Sequence, residues 1–210
     1  MMQENKKRKQ GNTLSNQNEN KKFSENGMVT PEEEFLRGNK VSLRKITMED
    51  TDNIIRWRNS EPVMKNFIYR TPLTREVHLN WFHTKVATGK VLQYIIVVNE
   101  TGEEIGSVYL QNFDEEKKET EFGIFIGEES AYGKGYGSEA EYLLVYYALT
   151  GLRMKQVVTR VLYTNPRSIA VQEKTGFHYL YDEWKEIEGK KERICFFACE
   201  KKDLPTREVK

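Results

Sequence analysis

Three glycines alternate at positions 133, 135 and 137 in the run Ala131-Tyr132-Gly133-Lys134-Gly135-Tyr136-Gly137-Ser138, and an amphipathic stretch begins within them. Glycine has no Cβ to hold a ligand away from the backbone N–H groups. A helix N-terminus behind such a loop adds partial positive charge. Together these features make a seat for a phosphate or pyrophosphate. Immediately upstream, Glu-Phe-Gly-Ile-Phe-Ile-Gly-Glu (121–128) reads as a buried strand running into the loop. Strand, glycine loop and helix commonly hold a nucleotide-like cofactor. The spacing G-x-G-x-G is neither the dinucleotide fingerprint G-x-G-x-x-G nor the P-loop G-x-x-x-x-G-K-[ST]. Glycines kept only for a turn or for packing would read the same way.

A second motif follows about thirty residues on: Asn165-Pro166-Arg167-Ser168-Ile169-Ala170-Val171-Gln172-Glu173-Lys174-Thr175-Gly176-Phe177. It resembles the N-x-x-A-I-x-x-Y-E-K-x-G-F segment of the GNAT N-acetyltransferase superfamily. The glycine loop resembles that family's R/Q-x-x-G-x-G/A loop, with Tyr132 in the Arg/Gln position. The resemblance covers about residues 41–202. It implies acetyl-CoA as cosubstrate and no metal. It further implies that backbone groups of Ile124, Phe125 and Ile126 pair with the pantetheine arm like an added strand. A bulge there would splay the sheet and open a slot. The N–H near Ile126 would face the thioester carbonyl, where one such donor is worth roughly 3 kcal/mol. The loop from Tyr132 through Gly133, Lys134, Gly135, Tyr136, Gly137 and Ser138 would hold the pyrophosphate, with Lys134 adding charge. Asn165 and Lys174 complete the implied cofactor contacts, and Asn165 is also a good helix cap.

An alkyl ammonium has a pKa of about 10.4, so an amine acceptor must lose a proton before it attacks. By resemblance Glu121 stands at the family's general-base position. Inside a buried strand beside Phe122 its ionisation would be raised, which suits a base, whereas an edge-facing, lysine-paired Glu would be inert. The family's tyrosine, which protonates the leaving thiolate, aligns with Gln172. A glutamine donates a hydrogen bond but gives up no proton. Gln172 would stabilise the thiolate, or a hydroxyl such as Tyr163 or Tyr179 would substitute, or catalysis would be slow. The acceptor is expected between the first helices and the last hairpin. Trp57-Arg58-Asn59 and His78-x-x-Trp81-Phe82 resemble the branch acting on amino-sugar nucleotides, and also the polyamine and ribosomal-protein branches. Arg58 and Arg70 could meet a phosphate, and Trp57 or Trp81 could stack on a sugar or base. His78 and His83 lie five apart, the wrong spacing for a shared metal.

The elements that position these residues follow from periodicity and punctuation. Strands are expected at 41–46, 92–98, 105–113, 119–126, 156–162, 177–187 and 192–200. Helices are expected at 48–58, from Thr74 to about Thr88, at 135–150, and from Asn165 to Thr175. The strands at 119–126 and 156–162, joined through a helix, should be parallel. The class is α+β, a GNAT-like mixed, splayed sheet of about seven strands with helices on both faces.

In a chain of 210 residues with formal charge +1, this is one domain over 41–203 with tails at 1–40 and 204–210. The first 40 residues are polar and are expected to be disordered. Residues 1–22 hold six Lys/Arg and two Glu, so this tail could touch RNA or serve only as a solvated leader. Elsewhere nucleic acid is not expected. Cys195 and Cys199 are read as thiols without chemistry. No apolar run suits a membrane span or secretory signal, so the expected compartment is the cytoplasm, as monomer or homodimer. The leading reading is an acetyl-CoA-dependent N-acetyltransferase. Its acceptor is the primary amine of a small molecule, an amino-sugar nucleotide or polyamine, attacking the thioester directly. The alternatives are a ribosomal-protein N-terminal acetyltransferase and, from another class, a non-catalytic acetyl-CoA binder.

Overall fold

A computed structural model describes residues 35–206. Its strands are β1 (Phe35–Arg37), β2 (Val41–Lys45), β3 (Leu92–Val98), β4 (Glu104–Asp114), β5 (Glu119–Ile126), β6 (Gln156–Leu162), β7 (His178–Ile187) and β8 (Lys190–Glu200). They form one sheet in the order β1-β2-β3-β4-β5-β6-β8-β7, antiparallel at every pair except β5–β6. The helices are α1 (Thr51–Asn59), α2 (Glu61–Met64), α3 (Arg75–Trp81), α4 (Tyr136–Thr150) and α5 (Pro166–Thr175). The period-2 alternation of the strands builds two cores. Tyr94, Ile96, Val108, Leu110 and Phe122 face α4, whereas Ile95, Val97 and Phe125 face Ile54 and Trp57 of α1.

The helix bounds follow local chemistry. Helix α4 starts behind Gly135, whose φ of 81° is costly for any residue with a Cβ, and it closes at Gly151. Asn165 caps α5 by accepting the Ser168 N–H at 3.2 Å. Gly176 ends α5 at φ 101°, where an added Cβ would lie 2.4 Å from the Asp203 carbonyl oxygen.

The sheet has eight strands, not seven. The additional one, β1, lies in the stretch assigned to the tail, where three residues are too few to show a period; it pairs with β2 through Leu36↔Leu43. The basic segment 1–22 lies outside the described residues. Residues Met48–Asp50 form a 3-10 turn under a Thr47–Asp50 capping box before α1 begins. The helix expected to reach Thr88 leaves α geometry at Trp81 and continues as a π-helical turn, Phe82–Val86.

Two irregularities shape the middle of the sheet. The β5–β6 pairing spans only Glu119–Glu121 with Gln156–Val158, after which the strands part. The bulge expected on β5 at 124–126 is absent, because the pairing runs without a slip from Gly106↔Ile126 to Val108↔Ile124; the extra residue sits on β4 instead. The β4–β5 register slips between Gln111 and Asp114, and Asn112 adopts φ 54°.

Glu139, in the first turn of α4, accepts the backbone N–H groups of Asn39 (3.0 Å), Lys40 (2.7 Å) and Val41 (2.9 Å). This one carboxylate fastens the start of β2 to the start of α4. Glu139→Ala is expected to lower unfolding free energy by about 2 kcal/mol. The measurement is a urea midpoint shifted down with unchanged slope.

Candidate active site

A cleft of about 1280 Å³ runs through the splayed sheet, from the glycine loop past β5 to α1, α2 and α3. Beyond Glu121 the β6-facing edge of β5 has no strand beside it. Alternation decides which groups face this slot. The Gly127 N–H bonds the Ile105 carbonyl at 2.7 Å, and the Phe125 carbonyl abuts Gly106 on β4. That phase turns the backbone of Phe125 toward β4 and leaves the N–H and C=O groups of Ile124 and Ile126 facing the slot. Phe125 therefore departs from the expected pantetheine-pairing set; its ring belongs to the α1 core.

At the mouth of the slot, the amides of residues 133–138 donate to no backbone carbonyl among the described residues. Gly133 and Gly135 take φ of 76° and 81°, which turns consecutive N–H groups outward. Gly137 is already helical, with room for a Cβ, 3.6 Å from Ile126. Tyr132 donates its hydroxyl to the Ile126 carbonyl at 3.2 Å, and the Arg167 guanidinium lies 5.0 Å from its ring centroid. Lys134 does not line the cleft; its carbonyl accepts the Lys40 ammonium at 3.1 Å, which brings a second cation to the loop. Asn165 and Lys174 line the same end of the cleft as Tyr136 and Ser138.

Glu121 sits where β5 and β6 part. It is not an isolated carboxyl against Phe122: Arg160 of β6 bonds Oε1 at 2.6 Å and 3.1 Å, Gln111 donates to Oε1 at 3.1 Å, and Asn112 donates to Oε2 at 2.9 Å. The expected desolvated base is instead an ion-paired one, held in one orientation by three side chains. Tyr109 of β4, which lines the cleft, lies across Gly123, where a Cβ would stand 2.2 Å from the phenol carbon. Desolvation holds the Tyr109 phenol above its ordinary range.

Gln172 is 1% exposed and points toward α4. Its Nε2 donates to Glu141 at 3.1 Å, and its Oε1 has no partner among the described residues. Glu141 is 0% exposed, lines the cleft, and also accepts the Thr175 hydroxyl. Burial pushes its ionisation up to about 7. Nothing in the sequence around Glu141 marked it, because a Glu in a helix ordinarily faces solvent. Tyr163 and Tyr179, the candidate substitute hydroxyls, are 53% and 52% exposed and outside the cleft.

Of the residues expected to meet the acceptor, Arg58 and Trp81 line the cleft, and Trp57 and Asn59 do not. Trp57 is buried in the core, pressed on Gly127, and donates Nε1–H to Glu128 at 2.7 Å. Asn59 exchanges two hydrogen bonds with the backbone of Leu73 and so fixes a loop. Arg70 pairs with Glu192 of β8 at 2.9 Å, so the last hairpin braces the cover of the cleft. Arg58 stacks 3.3 Å from the Phe67 ring centroid and forms no ion pair among the described residues; burial lowers its ionisation without neutralising it. Trp81 donates to Gln93 at 3.3 Å. His78 beside it is buried, lines the cleft, and has both ring nitrogens unpartnered among the described residues. Desolvation lowers its ionisation, which favours neutral imidazole, one donor and one acceptor.

The β5–β6 pair splays and opens onto loop amides that donate to no backbone carbonyl among the described residues. A family model described as an acetyltransferase (GNAT) domain matches residues 40–178, and the chain belongs to that family. An uncharacterised N-acetyltransferase, p20, of Bacillus licheniformis is 26% identical over 177 residues, covering 81% of this chain and 98% of that protein. An uncharacterised protein of Methanocaldococcus jannaschii is 31% identical over 142 residues, 66% of this chain; the match spans 28% of that longer protein. The crystal structure of spermidine N-acetyltransferase from Vibrio cholerae with CoA and spermine superposes with TM-score 0.72 at 17% identity, covering 78% of this chain and 97% of that one. Among the described residues no cluster of three His, Cys, Asp or Glu could hold a metal, and no helix is long and apolar enough to cross a membrane.

Two outcomes follow. Gly135→Ala forces a Cβ into left-handed backbone at a cost of roughly 1–2 kcal/mol, and it crowds the loop amides. CoA affinity by calorimetry is expected to fall at least tenfold. For Glu141 the sign is that of an acid whose folded ionisation is raised. The fold binds the proton more tightly than the unfolded chain does, so stability is lost as pH rises from the ordinary 4.5 toward about 7. Glu141→Gln should therefore stabilise the protein above about pH 7, by on the order of 3 kcal/mol at most, and much less below about pH 5. Thermal melts at the two pH values read this difference.

Proposed function

We propose that this chain moves an acetyl group from acetyl-CoA to the primary amine of a small molecule whose far end is anionic or hydrogen-bonding, as in an amino-sugar nucleotide. One observation carries the reading: the slot, along which β5 has no neighbouring strand beyond Glu121, leads from the glycine loop to that fixed carboxylate and beyond it to Arg58, a guanidinium without an ion pair among the described residues.

The residues present suit acetyl-CoA. Backbone groups of Ile124 and Ile126 can add the pantetheine amides as a further strand. Loop amides at 135–138 can receive the pyrophosphate, with Lys40 and Lys134 adding charge. Bound there, acetyl-CoA supplies a thioester carbonyl open to attack. The chain does the rest. The N–H of Ile126 stabilises charge on the carbonyl oxygen. Glu121 receives the proton of the acceptor ammonium, directly or through one water, with Arg160, Gln111 and Asn112 holding it in line. Trp81, His78 and Gln93 offer a flat face and hydrogen-bonding groups to the rest of the acceptor.

The charge pattern favours an anionic acceptor over a polyamine. Between α1 and β5 the charged cleft side chains are Arg58, Lys65 and Glu121, and Glu121 is already paired with Arg160 within its strand pair. In that stretch a second ammonium would meet Arg58 and Lys65 and a carboxylate already paired, which like-charge repulsion disfavours; the other cleft carboxyls, Glu129 and Glu141, belong to the loop after β5 and to α4. A phosphate would meet Arg58 in the geometry guanidinium prefers.

A thiol-release assay with acetyl-CoA tests this across UDP-linked amino sugars, glucosamine 6-phosphate, amino acids and spermidine. Phosphate-bearing amines are expected to be the best acceptors, and spermidine leading the series would overturn the assignment. Arg58→Met is expected to raise KM for a phosphate-bearing acceptor by about 10- to 100-fold, the size of a lost charged hydrogen bond, with the Kd for CoA unchanged.

A further inference from the structure

Glu141 is a fully buried carboxyl that forms no ion pair among the described residues, and it touches the side chain standing where the family resemblance places a tyrosine. A buried carboxylate without a cation is costly, and such groups persist when protonated or used. Among the described residues its surroundings hold two hydrogen-bond donors and no cation. From α5 it meets the Thr175 hydroxyl and the Gln172 amide. From β8 the titratable neighbour is the Cys199 thiol, whose ionisation burial pushes up to about 12, so that it stays neutral.

With the Thr175 hydroxyl donating to Glu141, the hydrogen bonds allow two arrangements. With Glu141 ionised, Gln172 Nε2 donates to its Oε2, and Gln172 Oε1 is left buried without a partner among the described residues. The two ends of a primary amide have the same shape, so half a turn about its last bond exchanges them. With Glu141 protonated, its O–H donates to Gln172 Oε1, the Thr175 hydroxyl still donates to the other carboxyl oxygen, and the amide N–H groups take the place of the unpartnered oxygen. The second arrangement removes the buried charge and leaves the amide N–H groups, instead of an acceptor, without a partner among the described residues.

We propose that Glu141 is a positioning residue: it carries a proton through turnover, turns the Gln172 amide, and so directs that amide's N–H groups at the leaving sulfur. The inference rests on the acetyl-transfer reading. In the reaction the acceptor nitrogen forms the C–N bond, the C–S bond breaks with its electron pair on sulfur, and the proton of the amine goes to Glu121. Gln172 stabilises the sulfur anion by hydrogen bonding and transfers no proton. The thiolate is protonated by water after release. When Glu141 ionises, the amide turns back and its oxygen faces the sulfur, so the rate drops with rising pH. That sign is opposite to the effect of ionising the amine or the thiol, both of which favour reaction at higher pH.

Hydroxylamine serves as the acceptor in the test, because it is a much weaker base than an alkyl amine and avoids dependence on the natural amine; each rate is divided by the fraction of hydroxylamine present as free base. Thiol release from acetyl-CoA, less the uncatalysed rate, is measured from about pH 6 to about pH 9. The full-length wild type is expected to slow about tenfold toward the alkaline end, the scale of one charge-assisted hydrogen bond. Glu141→Gln donates to Gln172 at every pH, so its profile should lose that decline, whereas Glu141→Ala should be slow throughout. A decline in Glu141→Gln parallel to wild type overturns the inference while leaving acetyl transfer intact. Absence of catalysed release at any pH overturns acetyl transfer itself and the inference with it. An infrared band of a protonated carboxyl, present at about pH 6, lost on raising the pH and absent from Glu141→Gln, supports the proton on Glu141 independently of activity. Its absence from wild type at about pH 6 overturns the proposal.

Discussion

A buried backbone amide or carbonyl without a partner costs free energy comparable to a lost hydrogen bond. In a regular sheet each strand supplies partners to its neighbour, but β5 and β6 share only three residue pairs before they separate. Ile124 and Ile126 are left with main-chain groups facing the slot. The cleft, the bare loop amides and the position of Glu121 all follow from that separation. A ligand with amides spaced along an extended arm can complete the sheet there, and a pantetheine arm has this form. On the proposed reading, cofactor binding would answer the hydrogen-bonding demand that the unfinished sheet leaves open.

The helices are placed to keep the separation open. Helix α4 packs under β2, β4, β5 and β6, with Ala140, Leu144 and Ala148 fully buried. Its start is fixed by two left-handed glycines and by the Glu139 clasp on residues 39–41. On the other face, α1 and the α2–α3 segment roof the acceptor side, and Arg70–Glu192 ties that roof to the β7–β8 hairpin. The hairpin, anticipated as a wall of the acceptor site, is instead its brace.

The sequence made the strand, glycine loop and helix legible because each leaves a short-range signature: apolar alternation, Gly without Cβ, an Asn cap. The parallel relation of β5 and β6 was readable from the crossover rule. What it hid was long-range. Trp57 and Arg58 are neighbours in sequence, yet one is core and the other lines the cleft, and only the pitch of α1 against Gly127 decides which. Arg160 sits in a β-branched run and gives no sign that it will neutralise Glu121 across the parallel pair. Glu141 and Gln172 are 31 residues apart and meet only because α4 and α5 pack together. The three-residue β1 is too short for any periodic signal and exists by pairing with β2.

The kink at Asn112 gives the sheet a defect that the active site uses. Its left-handed backbone interrupts the β4–β5 ladder, and its side chain reaches across to Glu121. One residue therefore both interrupts the ladder and supplies one of the three side chains that hold Glu121. A β-branched side chain here would resist the left-handed backbone, favour a regular ladder, and remove the bond from residue 112 to Glu121, leaving Arg160 and Gln111 to hold it.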